Sequence, residues 1–182
     1  MRHIKIFKSI LLIISIFLIT SCSNNSAMKP EDFKNKEPRL IIEEYLTGNV
    51  KAWGILQNRS GKVTRQFSAD LNGSWDGKQL ILKEKFNWDD GEVQNREWTI
   101  NKIDENNYEG TAGDVVGKAV GYSYGPAFKF EYVLLVPVKG KEMKITFDDW
   151  IFKQDDRVAI NRATMTKFGI KVAELTVVFV KD

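Results

Sequence analysis

The chain has 182 residues, with 27 Lys and Arg against 24 Asp and Glu, one cysteine and one histidine. A lone Cys22 and a lone His3 exclude an internal disulfide, a Cys/His zinc centre and a His-based catalytic triad. Arg2, Lys5 and Lys8 account for the whole net charge of +3, so the remainder is balanced and lacks the basic excess of a nucleic-acid binder.

Those three cations open a signal-peptide pattern. An apolar run from Ile10 to Thr20 follows, broken only by Ser15. A spanning helix needs roughly 20 apolar residues, so this run reads as the core of a signal peptide. Ile19-Thr20-Ser21-Cys22 then fits the lipobox of a bacterial lipoprotein. The expectation is cleavage before Cys22 and acylation of that residue, which makes membrane lipid its partner. Residues 1–21 are the signal peptide, 22–37 the lipidated cysteine with a polar tether, and 38–182 the folded domain. Ser23, in place of an aspartate, favours the outer membrane, with the protein on its inner leaflet facing the periplasm.

In the folded part, Pro38 to Gly48 is the one helical candidate, with Ile41 and Tyr45 on a shared face and Gly48 as terminator. Strand and turn signals dominate from there. Val50 to Gln57 is a strand, with a turn at Asn58 to Gly61. Val63, Arg65, Phe67, Ala69 and Leu71 share one face of the next, at period two. Asn72-Gly73 and Asp76-Gly77 read as turns. Leu80, Leu82, Glu84 and Phe86 alternate with Ile81, Lys83 and Lys85, Asp89-Asp90-Gly91 marks a hairpin, and Gln94, Arg96, Trp98 and Ile100 share a face. Turns are expected at Asp104 to Asn107, near Gly117, at Lys139 to Lys141 and at Asp155-Asp156. They separate strands at Tyr108 to Val116, Ala119 to Tyr124, Phe128 to Val136, Met143 to Phe152, Arg157 to Lys167 and Ile170 to Val180. Nine or ten strands with short loops predict an all-β fold: an antiparallel barrel with a short N-terminal helix, favoured over a two-sheet sandwich.

Alternate residues of a barrel strand point inward. Arg65 therefore shares an apolar interior face, where a buried guanidinium needs a partner. Glu84 on the following strand is one candidate, and an anionic ligand head group is the other. Arg96 beside Trp98 poses the same choice, so Arg65, Arg96, Glu84 and Trp98 form the candidate ligand site. Asp148 and Asp149 are the most enzyme-like pair, but neighbours on a strand face opposite ways. A buried ion pair of Asp148 with Arg162 or Lys167 on neighbouring strands is the ordinary alternative. The glycines from Gly110 to Gly125 lack a phosphate-cradle spacing. No cofactor and no metal site is indicated.

Several blocks carry a family resemblance: Ala52-Trp53-Gly54, Arg59 to Val63, Phe86 to Gly91 with Arg96-Glu97-Trp98, Tyr108 to Gly117, Phe147-Asp148-Asp149-Trp150, Asn161-Arg162 and Lys167-Phe168-Gly169. On these the chain resembles a bacterial lipoprotein family catalogued as domain of unknown function 3833, across Leu40 to Lys181. The resemblance implies a lipocalin-like barrel and carries no established activity or catalytic residues. The Gly-x-Trp signature of lipocalins is altered, since Trp53-Gly54 stands in the reverse order and Gly73-Ser74-Trp75 lies after the second strand. The functional expectation is a lipid-anchored periplasmic barrel binding a hydrophobic or amphipathic ligand, such as a fatty acid or phospholipid. The alternatives are an envelope-assembly lipoprotein acting through its outer surface and, less favoured, a lipid-modifying enzyme.

Overall fold

The computed structural model describes residues 27–138 and 140–182, so the expectations for the signal peptide, Cys22 and the first part of the tether, and for Lys139, lie outside the described residues. A 3-10 turn, Pro30–Phe33, and a short helix, α1 (Ile42–Leu46), precede ten strands. These are β1 (Gly48–Asn58), β2 (Val63–Trp75), β3 (Gln79–Trp88), β4 (Val93–Lys102), β5 (Asn107–Thr111), β6 (Ala119–Tyr124), β7 (Ala127–Val138), β8 (Lys141–Lys153), β9 (Val158–Lys167) and β10 (Ile170–Lys181). Each pairs antiparallel with its sequence neighbours, and β10 pairs with β1 to close the ring. The expected all-β barrel with a short N-terminal helix is the fold found.

Closure follows from the alternation. In β2 every second residue from Phe67 to Gly73 is buried while Ser68, Asp70 and Asn72 are exposed. A sheet with one wet face and one dry face hides the dry face by curling round on itself, and full closure leaves no unpaired edge. The interior is aromatic. Tyr108 and Phe128 lie 5.5 Å apart, Phe128 and Phe130 5.5 Å, Phe130 and Tyr132 5.6 Å, and Tyr132 stacks on Phe147 at 5.0 Å. Gly110 and Gly121 make room for this column, because a Cβ at either would collide with the ring of Phe130 or Phe128.

The N-terminal segment closes one end. Leu40, Ile42, Tyr45 and Leu46 are buried there. Leu40 N donates to the Gly125 carbonyl at 2.8 Å, and Tyr45 Oη donates to the Arg157 carbonyl at 2.9 Å. Glu43 of the plug is also buried, where Lys102 Nζ at 2.5 Å and Tyr108 Oη at 2.9 Å donate to it. Burial pushes this carboxyl up, but those donors outweigh it and hold its pKa below the ordinary value. Lys181 Nζ donates to the carbonyls of Glu44, Tyr45 and Thr47, which a short helix leaves without internal partners. Connections of a meander alternate between ends, so β1–β2, β3–β4, β5–β6, β7–β8 and β9–β10 turn at the opposite, unplugged end, the mouth.

Three elements differ from their sequence reading. The helix is shorter than 38–48, because Leu40 enters the core before the chain begins to coil. β2 runs straight through Asn72-Gly73; there the glycine lets the Leu46 carbonyl of the plug approach, and a Cβ would strike that backbone. β5 ends at Thr111, and the segment after it folds along β7, with Val116 N on the Val133 carbonyl at 2.8 Å and Leu135 N on the Asp114 carbonyl at 2.9 Å.

Candidate ligand-binding site

β3 and β4 place Glu84 directly opposite Arg96 in the interior. Arg96 Nη1 lies 3.9 Å from Glu84, and its Nε and Nη2 form a two-pronged contact with Asp114 at 3.0 and 2.8 Å. Across the lumen, β8 turns Asp149 inward. Tyr132 Oη donates to it at 3.0 Å, and Asn161 Nδ2 donates to its other oxygen. Tyr132 also lies 5.3 Å from Trp98, so the polar cluster is set into the aromatic column.

Burial pushes the Glu84 carboxyl up to about 7; Arg96 opposes the rise and Asp149 adds to it. Burial likewise raises Asp149 to about 6, against the donors Asn161 and Tyr132. The Tyr132 hydroxyl is pushed well above its ordinary value by burial and by Asp149. Desolvation pulls Arg96 down, but Glu84 and Asp114 outweigh it and its pKa is raised. Three carboxyls thus meet one guanidinium, and that guanidinium already grips one of them.

The cluster divides the lumen. Toward the plug lies a chamber of about 100 Å³, lined by Ile42, Leu82, Trp98, Phe130 and Asn161 among others. Toward the mouth lies a second of about 210 Å³, lined by Trp88, Gln94, Leu134, Val136 and Met165 among others. Arg96, Tyr132, Phe67, Phe86 and Leu175 border both, and so form the partition. Each chamber is smaller than a typical ligand pocket of roughly 300–1,000 Å³, so a long chain would need both, with partition side chains turned aside.

Not every sequence candidate joins this cluster. Arg65 shares the inward face of β2 but starts at the mouth, where the β3–β4 hairpin supplies Asp90 and Glu92, each 2.8 Å from its Nη2. Its guanidinium lies over the Trp88 ring, 3.9 Å from the centroid. Glu84 is therefore the partner of Arg96 and not of Arg65. Asp148 does not form the buried ion pair expected with Arg162 or Lys167: it is half exposed on the outer face, its cation is Lys129 of β7 at 3.5 Å, and Arg162 turns to Glu174 at 3.1 Å. Asp114, Tyr132 and Asn161 escaped the sequence reading. Tyr132 and Asn161 do sit on inward registers, in line with Phe130 and Leu134 and with Ala159 and Ala163. Asp114 lies in a loop whose course along β7 no periodicity announces.

A closed ten-strand meander, plugged at one end by an N-terminal helix and carrying a polar cluster in an aromatic lumen, is a lipocalin-like barrel. The chain belongs to the family described as protein of unknown function DUF3833, whose profile matches residues 16–181. No curated protein matches it. Among solved structures it is similar to the S-type phycobiliprotein lyase CPES from Guillardia theta, at 10% identity and TM-score 0.58, over 77% of this chain and 90% of that one. It is also similar to a protein of unknown function from the DUF3598 family of Nostoc punctiforme, at 14% identity and TM-score 0.60, over 81% of this chain. The matched part spans about half of that second protein, 51% of its length. At these identities the likeness extends to the fold alone.

Proposed function

We propose that this protein is a lipid-anchored envelope barrel that takes up a hydrophobic or amphipathic molecule through its mouth. The observation that carries the reading is the lumen: apolar and aromatic walls, shut by the plug and interrupted by one polar cluster that can hold a polar end. The apolar part of the ligand would lie against Phe67, Phe86 and the Tyr132 column, with each buried methylene contributing roughly 0.8 kcal/mol.

The anionic head group expected at Arg65 or Arg96 meets a competitor, since both arginines already hold protein carboxylates. An uncharged, hydrogen-bonding end, such as a hydroxyl or a protonated carboxyl, fits Glu84 and Asp149 without displacing Asp114. Nothing in the cluster requires turnover, and binding without catalysis is the reading adopted. Anchoring through Cys22 in the outer membrane belongs to the same proposal and is supported by the lipobox.

Native mass spectrometry of gently purified protein, followed by titration of the delipidated barrel with fatty alcohols and fatty acids, tests the lumen. A saturable single site supports the reading, whereas no bound lipid and no titratable binding sinks it. Mass spectrometry of the native N-terminus tests the anchor, which fails if Cys22 is unmodified.

A second reading, an assembly protein working through its outer wall, draws on one observation. Trp53 is 50% exposed on the outer face, across from Val178, which is 38% exposed. Loss of envelope integrity with Trp53→Ser and unchanged ligand binding would favour it.

A further inference from the structure

The β9–β10 hairpin breaks its own local rule. Lys167 pairs with Ile170, so the turn has two central residues, Phe168 and Gly169, with φ of 52° and 75°. Two positive φ values mark the tight turn that favours Asn-Gly, because a bulky side chain is strained in this region. Here a phenylalanine occupies the first position, and it buries almost none of its ring, being 93% exposed. The β1–β2 and β3–β4 turns instead carry the expected residues, with the Asn58 and Asp90 side chains accepting from their own turn amides. A residue that strains the turn and that no part of the core covers points to a role outside the folded chain.

The rest of the mouth shares this character. Besides Phe168, Ile170 is 57% exposed, Val93 55%, Val63 41% and Val138 37%, so four of the five connections at this end, all but β5–β6, present an apolar residue to solvent. Between them stand cations. Among the described residues, Arg59, Lys62, Lys141, Lys144 and Lys167 at this end have no ion-pair partner, against Asp89 and Glu142 among the acids. Asp90 and Glu92 are taken up by Arg65, and Glu174 by Lys171 and Arg162. Lys167 Nζ itself lies 5.3 Å from the Phe168 ring centroid. Apolar tips with a cationic surround are complementary to an anionic lipid surface: rings and branched chains enter the boundary of the acyl region, and ammonium groups meet phosphates.

We propose that the mouth of the barrel docks on an anionic membrane surface, with the Phe168 tip inserted and the Lys and Arg rim over the head groups. The mouth chamber then opens onto lipid, and a molecule passes between bilayer and lumen without crossing water. The passage rests on the ligand reading above; the docking does not.

Residues 27–182 hold every strand, the plug and the core described above, so the test uses that barrel. Its sedimentation is measured with vesicles of phosphatidylcholine alone and of phosphatidylcholine mixed with phosphatidylglycerol. Docking predicts preferential binding to the mixed vesicles, weakened by salt. Phe168→Asn should bind about tenfold more weakly, the loss of one partly inserted aromatic ring. Its melting temperature should stay level or rise, because asparagine suits the turn. Ile170→Ser is the second variant and should weaken binding in the same direction. Equal vesicle binding by the parent and both variants overturns the proposal. So does binding indifferent to phosphatidylglycerol, or self-association that Phe168→Asn abolishes while vesicle binding persists. Titration of a dansyl-labelled fatty alcohol without vesicles separates the two readings: Phe168→Asn should retain the parent affinity. If neither protein binds the probe but vesicle docking persists, the ligand reading fails and this one stands.

Discussion

Arg96 and Glu84 face each other across the β3–β4 pairing, yet the guanidinium lies 3.9 Å from Glu84 and only 2.8 Å from Asp114. The loop residue, and not the strand residue, takes the close contact. Glu84 is thereby left as a carboxyl held near a cation without a close bond to it, in a lumen that penalises its charge.

The pH dependence of stability follows. The folded pKa of Glu84, about 7, lies above its ordinary 4.5, so between these values the folded protein holds a proton that the unfolded chain has released. Stability from this group is fully present below about pH 4.5 and is lost as pH rises through about 7. Glu84→Gln removes this titrating group. Relative to the parent, the variant should gain stability as pH rises from about 5 to about 8, by on the order of 3 kcal/mol. Urea denaturation of both proteins at several pH values checks the difference, and parallel curves would show that Glu84 is not buried with its proton.

The two interior-facing arginines should behave unequally. Arg96 is 15% exposed and serves two carboxyls, so Arg96→Ala leaves Asp114 and Glu84 uncompensated and should cost about 3–5 kcal/mol. Arg65 is 28% exposed and its partners Asp90 and Glu92 are about half exposed, at 52% and 51%. Exposed pairs contribute roughly 0.2–1 kcal/mol, with a similar amount from the stacking on Trp88, so Arg65→Ala should cost no more than about 2 kcal/mol. Chemical denaturation ranks them. A larger loss at Arg65 would mean that the mouth, and not the partition, is the stability centre.

Gly73→Ala tests the plug. The new methyl group would strike the Leu46 carbonyl, which is backbone and cannot swing aside. Overpacking of this kind costs typically 1–3 kcal/mol. Hydrogen exchange should show faster opening of the plug amides, Leu40 and Tyr45 first, while the β7–β8 amides keep their protection. Unchanged exchange at Leu40 would show that the plug can shift as a body.

This glycine also shows where sequence reading stops. Asn72-Gly73 has the composition of a turn, and only pairing with Asn49 and Gly48 of β1 and with Lys83 and Leu82 of β3 makes it strand, with the glycine leaving room for the Leu46 carbonyl. The period-two alternations were legible because each follows from its own strand, and they gave the barrel, the inward faces of Arg65, Glu84, Arg96 and Trp98, and the opposed directions of Asp148 and Asp149. Pairing was not legible in the same way. Arg65 meets Asp90 and Glu92 because the β3–β4 hairpin stands beside the start of β2, and Arg96 meets Asp114 because a loop lies down along β7. Both are tertiary facts that no single strand carries.

The barrel should fold without metal. Residues after Cys22 contain neither cysteine nor histidine, and among the described residues no group of acidic side chains is placed to hold an ion. Circular dichroism of residues 27–182 should show the same sheet signal and melting temperature with and without a chelator. A drop on chelation would reveal an oxygen-ligand site.

The lumen chemistry makes a prediction about which lipids bind and at what pH. A fatty acid that enters as a carboxylate brings a negative charge toward Glu84, Asp114 and Asp149, and the only guanidinium among them is already gripped by Asp114. A fatty alcohol of equal chain length brings the same apolar surface and a hydroxyl that can donate to either raised carboxyl. At about pH 8 both Glu84, near 7, and Asp149, near 6, are mainly ionised, so the alcohol should bind more tightly than the acid. As pH falls to about 5.5 these carboxyls take up protons, the repulsion fades, and the acid should gain about tenfold in affinity, one unit of differential protonation energy. The alcohol should change little, because its hydroxyl finds an acceptor in either state. In Glu84→Gln the pH dependence of acid binding should flatten, since one of the two titrating carboxyls is gone. Fluorescence displacement at the two pH values reads this out. If the acid binds more tightly than the alcohol at about pH 8, an arginine releases its protein carboxylate to the ligand. Arg96→Met and Arg65→Met would then tell which one, by removing that preference.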